Sequence, residues 1–430
     1  MHKREFIKTV GRTVGGASLG MVFSDALSDA LSDALLEQFA AFSPTELADD
    51  EAFWTALRGK YRLKPDLINL ENGYYSMQSQ EVLEAFIAKV REVNYHGSYY
   101  MRTTLEPDKR AVATRLAKLA GCGEDELIIT RNTTESLDTV IAGYDWKSGD
   151  EAVMAHQDYG AMQDMFTLQA RRYGIVPKTV SLPLDPKSDD EIVALYAGAI
   201  TPRTRLLMCC HMVNITGQIL PVRKIADMAH ARGVDVMVDG AHAFAQLDFR
   251  IPDLGADYYG ASLHKWLGAP LGAGILYVKR DKVAGLWPVF ADEARAATDI
   301  WKLNHTGTHP AHTDLAIGTA IDAHERIGIA RKEARLRYLQ RYWTDQVRGT
   351  PKIMLNTPTE AARSCAIANV GIEGVPPSAL AKTLLEKHKI WTVAINSAGV
   401  VGVRVTPQLF TTRRELDMFV KALKMEAAKL

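Results

Sequence analysis

Lys265 stands in Ser262-Leu263-His264-Lys265-Trp266-Leu267-Gly268-Ala269-Pro270, ahead of Gly272 and Gly274 and just past an apolar run. That setting argues against a solvated surface lysine. A lysine amine held this way can form a Schiff base with a carbonyl and carry a proton at the adjacent carbon. Three other polar groups follow apolar runs in the same manner. Asp239 ends Val238-Asp239-Gly240-Ala241-His242, Asn214 ends Met212-Val213-Asn214, and Thr133 and Thr134 open a helical pattern after Thr130-Arg131-Asn132. A carboxylate can hold a protonated ring nitrogen, and hydroxyls at a helix N-terminus can hold a phosphate. Helix capping also accounts for Asp or Thr in such places. Arg404, in Gly402-Val403-Arg404-Val405-Thr406-Pro407, offers the planar fork that suits a carboxylate. The alternative for a strand arginine is a pair with a surface acid.

These groups need strands to carry them. Apolar runs at 127–130, 152–155, 175–182, 205–213, 234–238, 258–261 and 274–278 read as strands. They alternate with helical patterns at 162–173, 189–200 and 222–232. The alternation predicts an α/β fold, in which ligands bind beyond the strand ends. One long helix is expected over 314–342, then a smaller α+β unit from 353 to the end. The expected division is an address and spacer over 1–42, a segment packing with the small unit over 43–105, a large domain over 106–310, and a connecting helix with the small domain over 311–430.

Composition narrows the function classes. The chain has 430 residues, 47% hydrophobic and 24% charged, and its 51 Lys+Arg balance 51 Asp+Glu. A neutral chain lacks the electrostatic footprint of a nucleic-acid binder. Four cysteines make no disulfide framework and show no zinc spacing; Cys209 and Cys210, adjacent on a strand, point to opposite faces. The N-terminus differs from the rest. Lys3-Arg4-Glu5-Phe6-Ile7-Lys8 precedes residues 13–24, which carry no charge. This has the anatomy of an export signal and is too short for a stable membrane anchor, which needs about 18 apolar residues. It resembles a twin-arginine signal with Lys3 in place of the first arginine, which implies a periplasmic protein. Ser24-Asp25-Ala26-Leu27 then repeats at Ser28 and Ser32, placing Leu27, Leu31 and Leu35 on one helical face of a spacer.

The run from Ser262 to Gly274 resembles the lysine motif of the class V aminotransferase family of fold type I pyridoxal-phosphate enzymes. The resemblance extends over about residues 66–423, and the wording is closest to isopenicillin N epimerase-like proteins. It implies a large, mostly parallel seven-stranded sheet domain with helices on both faces, and a smaller α+β C-terminal domain. It implies pyridoxal phosphate bound to Lys265, with Asp239 on the pyridine nitrogen and His242 beside the cofactor as a third catalytic group. Thr133, Thr134, Ser262 and His264 would form the phosphate cup, and Thr308 would reach the phosphate of a partner subunit in a homodimer with shared sites. Asn214 would bond the 3'-oxygen, and Tyr159, in preference to His156, would stack on the ring. Arg404 would bind the carboxylate of an amino acid or peptide-like substrate, with Tyr99, Tyr100 and Arg102 at the entrance.

Loss of the Cα proton is common to transamination, epimerisation and β-elimination. Cysteine desulfurases of this family carry a nucleophilic cysteine shortly before the carboxylate arginine. The corresponding residues 394–400 contain none, and Cys365 reads as a small buried hydrophobe. The expected activity is therefore of the aminotransferase type at Cα. Epimerisation, racemisation or periplasmic tailoring of a siderophore are the alternatives, ahead of a desulfurase, a lyase or a non-catalytic scaffold.

Overall fold

The computed structural model of the protein describes residues 42–430; the signal-like segment and the tetrapeptide repeat lie outside them. In chain order the strands are β1 (Ile68–Asn69), β2 (Leu127–Thr130), β3 (Glu151–Ala155), β4 (Val176–Val180), β5 (Thr204–Cys210), β6 (Asp235–Asp239), β7 (Tyr258–Ser262) and β8 (Gly274–Val278). They continue with β9 (Ile353–Leu355), β10 (Ala368–Ile372), β11 (Ile390–Trp391), β12 (Val393–Ser397) and β13 (Val400–Val405). The large sheet has seven strands in the order β2-β8-β7-β6-β5-β3-β4. β8 runs against both of its neighbours, β2 and β7, and the remaining pairs are parallel.

Helices cover both faces of this sheet, so its central strands are apolar throughout. In β5 every residue from Leu206 to Cys210 is buried, which is why its sequence shows no alternation. The smaller unit has an antiparallel sheet, β12-β13-β10-β9. Its core packs Trp343 edge-on against Phe419, with ring centroids 5.2 Å apart, beside Val403, Val405 and Leu416. The short helices Pro44–Ala48 and Glu51–Arg58 are tied to this unit by the buried Arg335, which pairs with Glu51 at 2.7 Å and donates to the carbonyls of Ala48 and Thr411. β1 pairs in parallel with β11.

The helix expected over 314–342 is two helices, Ala311–Ile327 and Ile329–Val347. Gly328, at φ 83°, breaks the run between them, and only glycine adopts that conformation without strain. Among the described residues, no helix is long and apolar enough to cross a membrane.

Candidate active site

Loops that follow parallel strands converge at the carboxyl edge of the large sheet. After β2, Asn132 caps the helix Thr133–Gly143 by accepting the Glu135 amide at 2.9 Å. The Thr133 N–H donates to Ser262 Oγ at 2.9 Å, and the two hydroxyls lie 2.7 Å apart. The helix N-terminus is thereby joined to the end of β7. Thr134 and His264 complete a cup of N–H, hydroxyl and imidazole groups, the donor set that an anion requires.

At the end of β6, Asp239 is buried and accepts the Ala241 amide at 2.9 Å. Burial pushes its carboxyl above the usual range, while the Ala241 amide and then the neighbouring Lys265 pull it back. An N–H donor on a ring nitrogen would offset the same cost. Lys265 Nζ lies 3.3 Å from His242 Nε2. His242 Nδ1 accepts the indole N–H of Trp266 at 3.4 Å, which puts the imidazole proton on Nε2, facing the lysine. Burial lowers the lysine to about 8. Burial, with the lysine's charge, holds His242 far below the ordinary imidazole value. Once the lysine loses its proton, the neutral imidazole donates from Nε2 to the amine.

Thr133, Thr134, Tyr159, Asn214, Asp239, His242, Ser262, His264, Lys265 and Arg404 all line one cavity of about 280 Å³. Its polar groups are not all satisfied by the protein. Asn214 Oδ1 and His264 Nδ1 are buried with no partner, a rare condition away from ligand sites. A phosphorylated pyridine ring fits this set: the helix N-terminus for the phosphate, Asp239 for the ring nitrogen, Asn214 for a ring oxygen. Of the two aromatic plates, only Tyr159 reaches the cavity; His156 Nε2 instead lies 3.0 Å from Thr179 Oγ1.

Other expected residues lie elsewhere. Thr308 lines an adjoining cavity of about 260 Å³ with Asn304 and His309, and the two cavities share Arg131, Leu271 and Gly272. Tyr99, Tyr100 and Arg102 line neither cavity; Tyr100 is buried with its hydroxyl on Asp108, and Tyr99 is exposed. Cys122, Cys209, Cys210 and Cys365 are free thiols, and none lines the Lys265 cavity. Burial pushes the Cys365 thiol up to about 12. Among the described residues no cluster of His, Cys, Asp and Glu suits a metal ion.

Arg404 reaches the cavity from β13 already partnered. Its Nε and Nη2 donate to the two oxygens of Glu71 at 3.0 and 2.8 Å, and its Nη1 donates to the Asn214 carbonyl at 3.3 Å. Both side chains are almost fully buried, at 8% and 3% exposure, so the pair is no surface contact. Glu71 also accepts the Tyr74 amide at 2.8 Å and bridges to Thr406 through its backbone. Sequence reasoning missed Glu71, although it too is a polar residue just past a strand. β1 has only two residues and leaves no periodic trace. Trp266, which fixes the His242 proton, was overlooked beside the lysine itself.

Comparison with known proteins agrees with this geometry. The family model "Aminotransferase class-V" matches residues 76–419. Isopenicillin N epimerase from Amycolatopsis lactamdurans is 28% identical over 390 residues, covering 86% of this chain and 98% of the relative. A probable cysteine desulfurase from Halobacterium salinarum is also 28% identical, over 83% of this chain and 91% of the relative. A solved structure of the enzyme C-DES, a mutant with glycine covalently linked to the PLP cofactor, superposes with a TM-score of 0.78 at 21% identity, over 85% of this chain and 98% of that one. Similarity along most of the chain and the fit of the cavity point the same way: this chain belongs to the class V aminotransferase family of fold type I enzymes, and its cofactor is pyridoxal phosphate.

Proposed function

We propose that the protein acts at Cα of an amino acid, or of an amino-acid residue of a peptide, and that its reaction is of the aminotransferase type. The observation that carries this reading is the single cavity in which Lys265, Asp239, the Thr133–Ser262 cup and Arg404 meet. Bound pyridoxal phosphate supplies the electron sink that acidifies a Cα proton. Everything else falls to this chain. Lys265, with an amine lowered to about 8, gains its unprotonated form as pH rises toward that value, far below the range of an ordinary lysine, and can then take and return a proton at Cα. His242 donates to that amine and keeps it oriented. Asp239 accepts from the ring nitrogen. Arg404, held edge-on by Glu71, has Nη hydrogens left for a substrate carboxylate.

The similarity to isopenicillin N epimerases favours epimerisation as a second reading. That reaction needs a proton donor on the opposite face of Cα, and Tyr74 and Tyr159 are the tyrosines lining the cavity. The absence of a thiol from the cavity supports both readings over a thiolate-dependent desulfurase. A panel of amino acids and amino-terminal peptides, incubated with the holoenzyme in deuterium oxide, separates them. Transamination yields a keto acid, whereas epimerisation yields a deuterated, stereochemically mixed amine; neither product from any compound would refute the proposal. We further propose a homodimer in which Thr308 serves the partner's site, and export to the periplasm through the N-terminal segment.

A further inference from the structure

Two cavities meet at Arg404. The one containing Lys265 measures about 280 Å³, and the other about 400 Å³. Arg404 and Tyr74 line both. The walls of the second are mainly Leu63, Leu67, Tyr75, Met77, Trp391 and Phe410. The charged groups at its edge are neutralised within the protein: Arg58 pairs with Glu415 at 2.8 Å, Lys64 with Asp66 at 2.6 Å, and Arg404 with Glu71 at 2.8 Å. Beyond Arg404, whose remaining Nη hydrogens serve the substrate carboxylate, an ionic ligand group would find no uncompensated partner. Its rim nevertheless leaves aromatic surface in water, with Tyr74 76% and Trp391 41% exposed. Apolar concavities of this kind, bordered by a few polar groups, are where small molecules bind.

Volume points to the same conclusion. Small-molecule sites commonly measure about 300–1,000 Å³. The Lys265 cavity, at about 280 Å³, falls just below that range and must hold both the cofactor and the reacting carbon. A substrate larger than a simple amino acid has to extend elsewhere, and the cavity on the other side of Arg404 and Tyr74 adjoins this one and is larger.

We propose that this second cavity is a subsite for the distal, uncharged, apolar or aromatic part of an extended amino-acid substrate, whose amine end reaches Lys265 past Arg404 and Tyr74. The inference rests on the proposed action at Cα and names the class of substrate.

The test titrates the holoenzyme with alanine, phenylalanine and 2-amino-6-phenylhexanoic acid, reading Kd by calorimetry alongside the cofactor absorbance. Burial of the added methylenes and ring should tighten Kd by about tenfold or more from alanine to the longest compound. Leu67→Trp, before β1, and Val393→Trp, in β12, narrow the cavity from two different elements. Each should weaken the longest compound about tenfold more than it weakens alanine. A flat series in the wild type, or tryptophan variants that weaken all three compounds alike, would overturn the subsite. If none of the three binds while the cofactor stays in place, the action at Cα fails and the subsite fails with it.

Discussion

At the scale of single residues, the site works by making a basic group easier to deprotonate and by pairing a buried arginine with a carboxylate. Lys265 was legible from its flanking histidine and glycines, but its state was not, because that depends on burial and on the Trp266–His242–Lys265 chain. With the amine lowered to about 8, the nucleophilic form grows as pH rises toward that value and saturates above it. Attachment of pyridoxal phosphate to the apoprotein should therefore quicken by about tenfold per pH unit below pH 8 and level off above it, as followed by stopped-flow absorbance. Trp266→Phe removes the indole N–H that fixes the His242 tautomer and should move the level-off to higher pH without changing the slope below it. Arg404 was legible as a carboxylate binder, yet its partner Glu71 came from a strand too short to see. Arg404→Ala would strand a buried carboxylate and should cost about 3–5 kcal/mol of stability as well as amino-acid binding. Adding Glu71→Ala should restore much of the lost melting temperature without restoring binding. If the double variant melts no higher than the single, the pair does not hold the site together as described.

At the scale of elements, the cofactor cup depends on how closely the helix Thr133–Gly143 can approach the sheet. A Cβ at Gly274 would sit 2.7 Å from the backbone of Asn132, the residue that caps this helix. One at Gly260 would sit 2.8 Å from Leu137 within the helix. Gly274→Ala should thus shift the helix N-terminus away from Ser262 and lower cofactor affinity by about tenfold or more, measured by dialysis against free pyridoxal phosphate. Ser262→Ala removes a hydroxyl with no clash and should cost less, so equal losses in the two variants would count against this account. The strands that carry the site were readable because buried parallel strands are continuous apolar runs; β2 and β8 match the expected residues, and β5 and β6 differ only at their ends. Two features were not readable. Gly328 interrupts an otherwise helical pattern that looks continuous by periodicity, and β1 is defined by its pairing with β11, some three hundred residues away, and not by its own two residues.

At the scale of the whole molecule, the remaining questions are where the chain goes and how many copies make a site. If residues 1–42 are an export address, replacing Lys3 and Arg4 by glutamine should leave the protein in the cytoplasmic fraction, and an unchanged distribution would refute the address. The number of copies turns on Thr308. It lies outside the Lys265 cavity of its own chain, beside Leu271, which is 57% exposed and lines both cavities. If Thr308 serves a partner's phosphate, Lys265→Ala and Thr308→Ala chains should each be impaired as homodimers for different reasons. A mixed dimer then contains one site with both defects and one with neither, since the intact Lys265 of one chain meets the intact Thr308 of the other. Co-expression of the two variants with different affinity tags, followed by tandem purification of the mixed species, should give about half of wild-type turnover, well above either homodimer. Light scattering must show twice the protomer mass for the same sample. Turnover equal to the mean of the two homodimers would mean that each chain completes its own site, and Thr308 would then be left with a local role among Asn304 and His309.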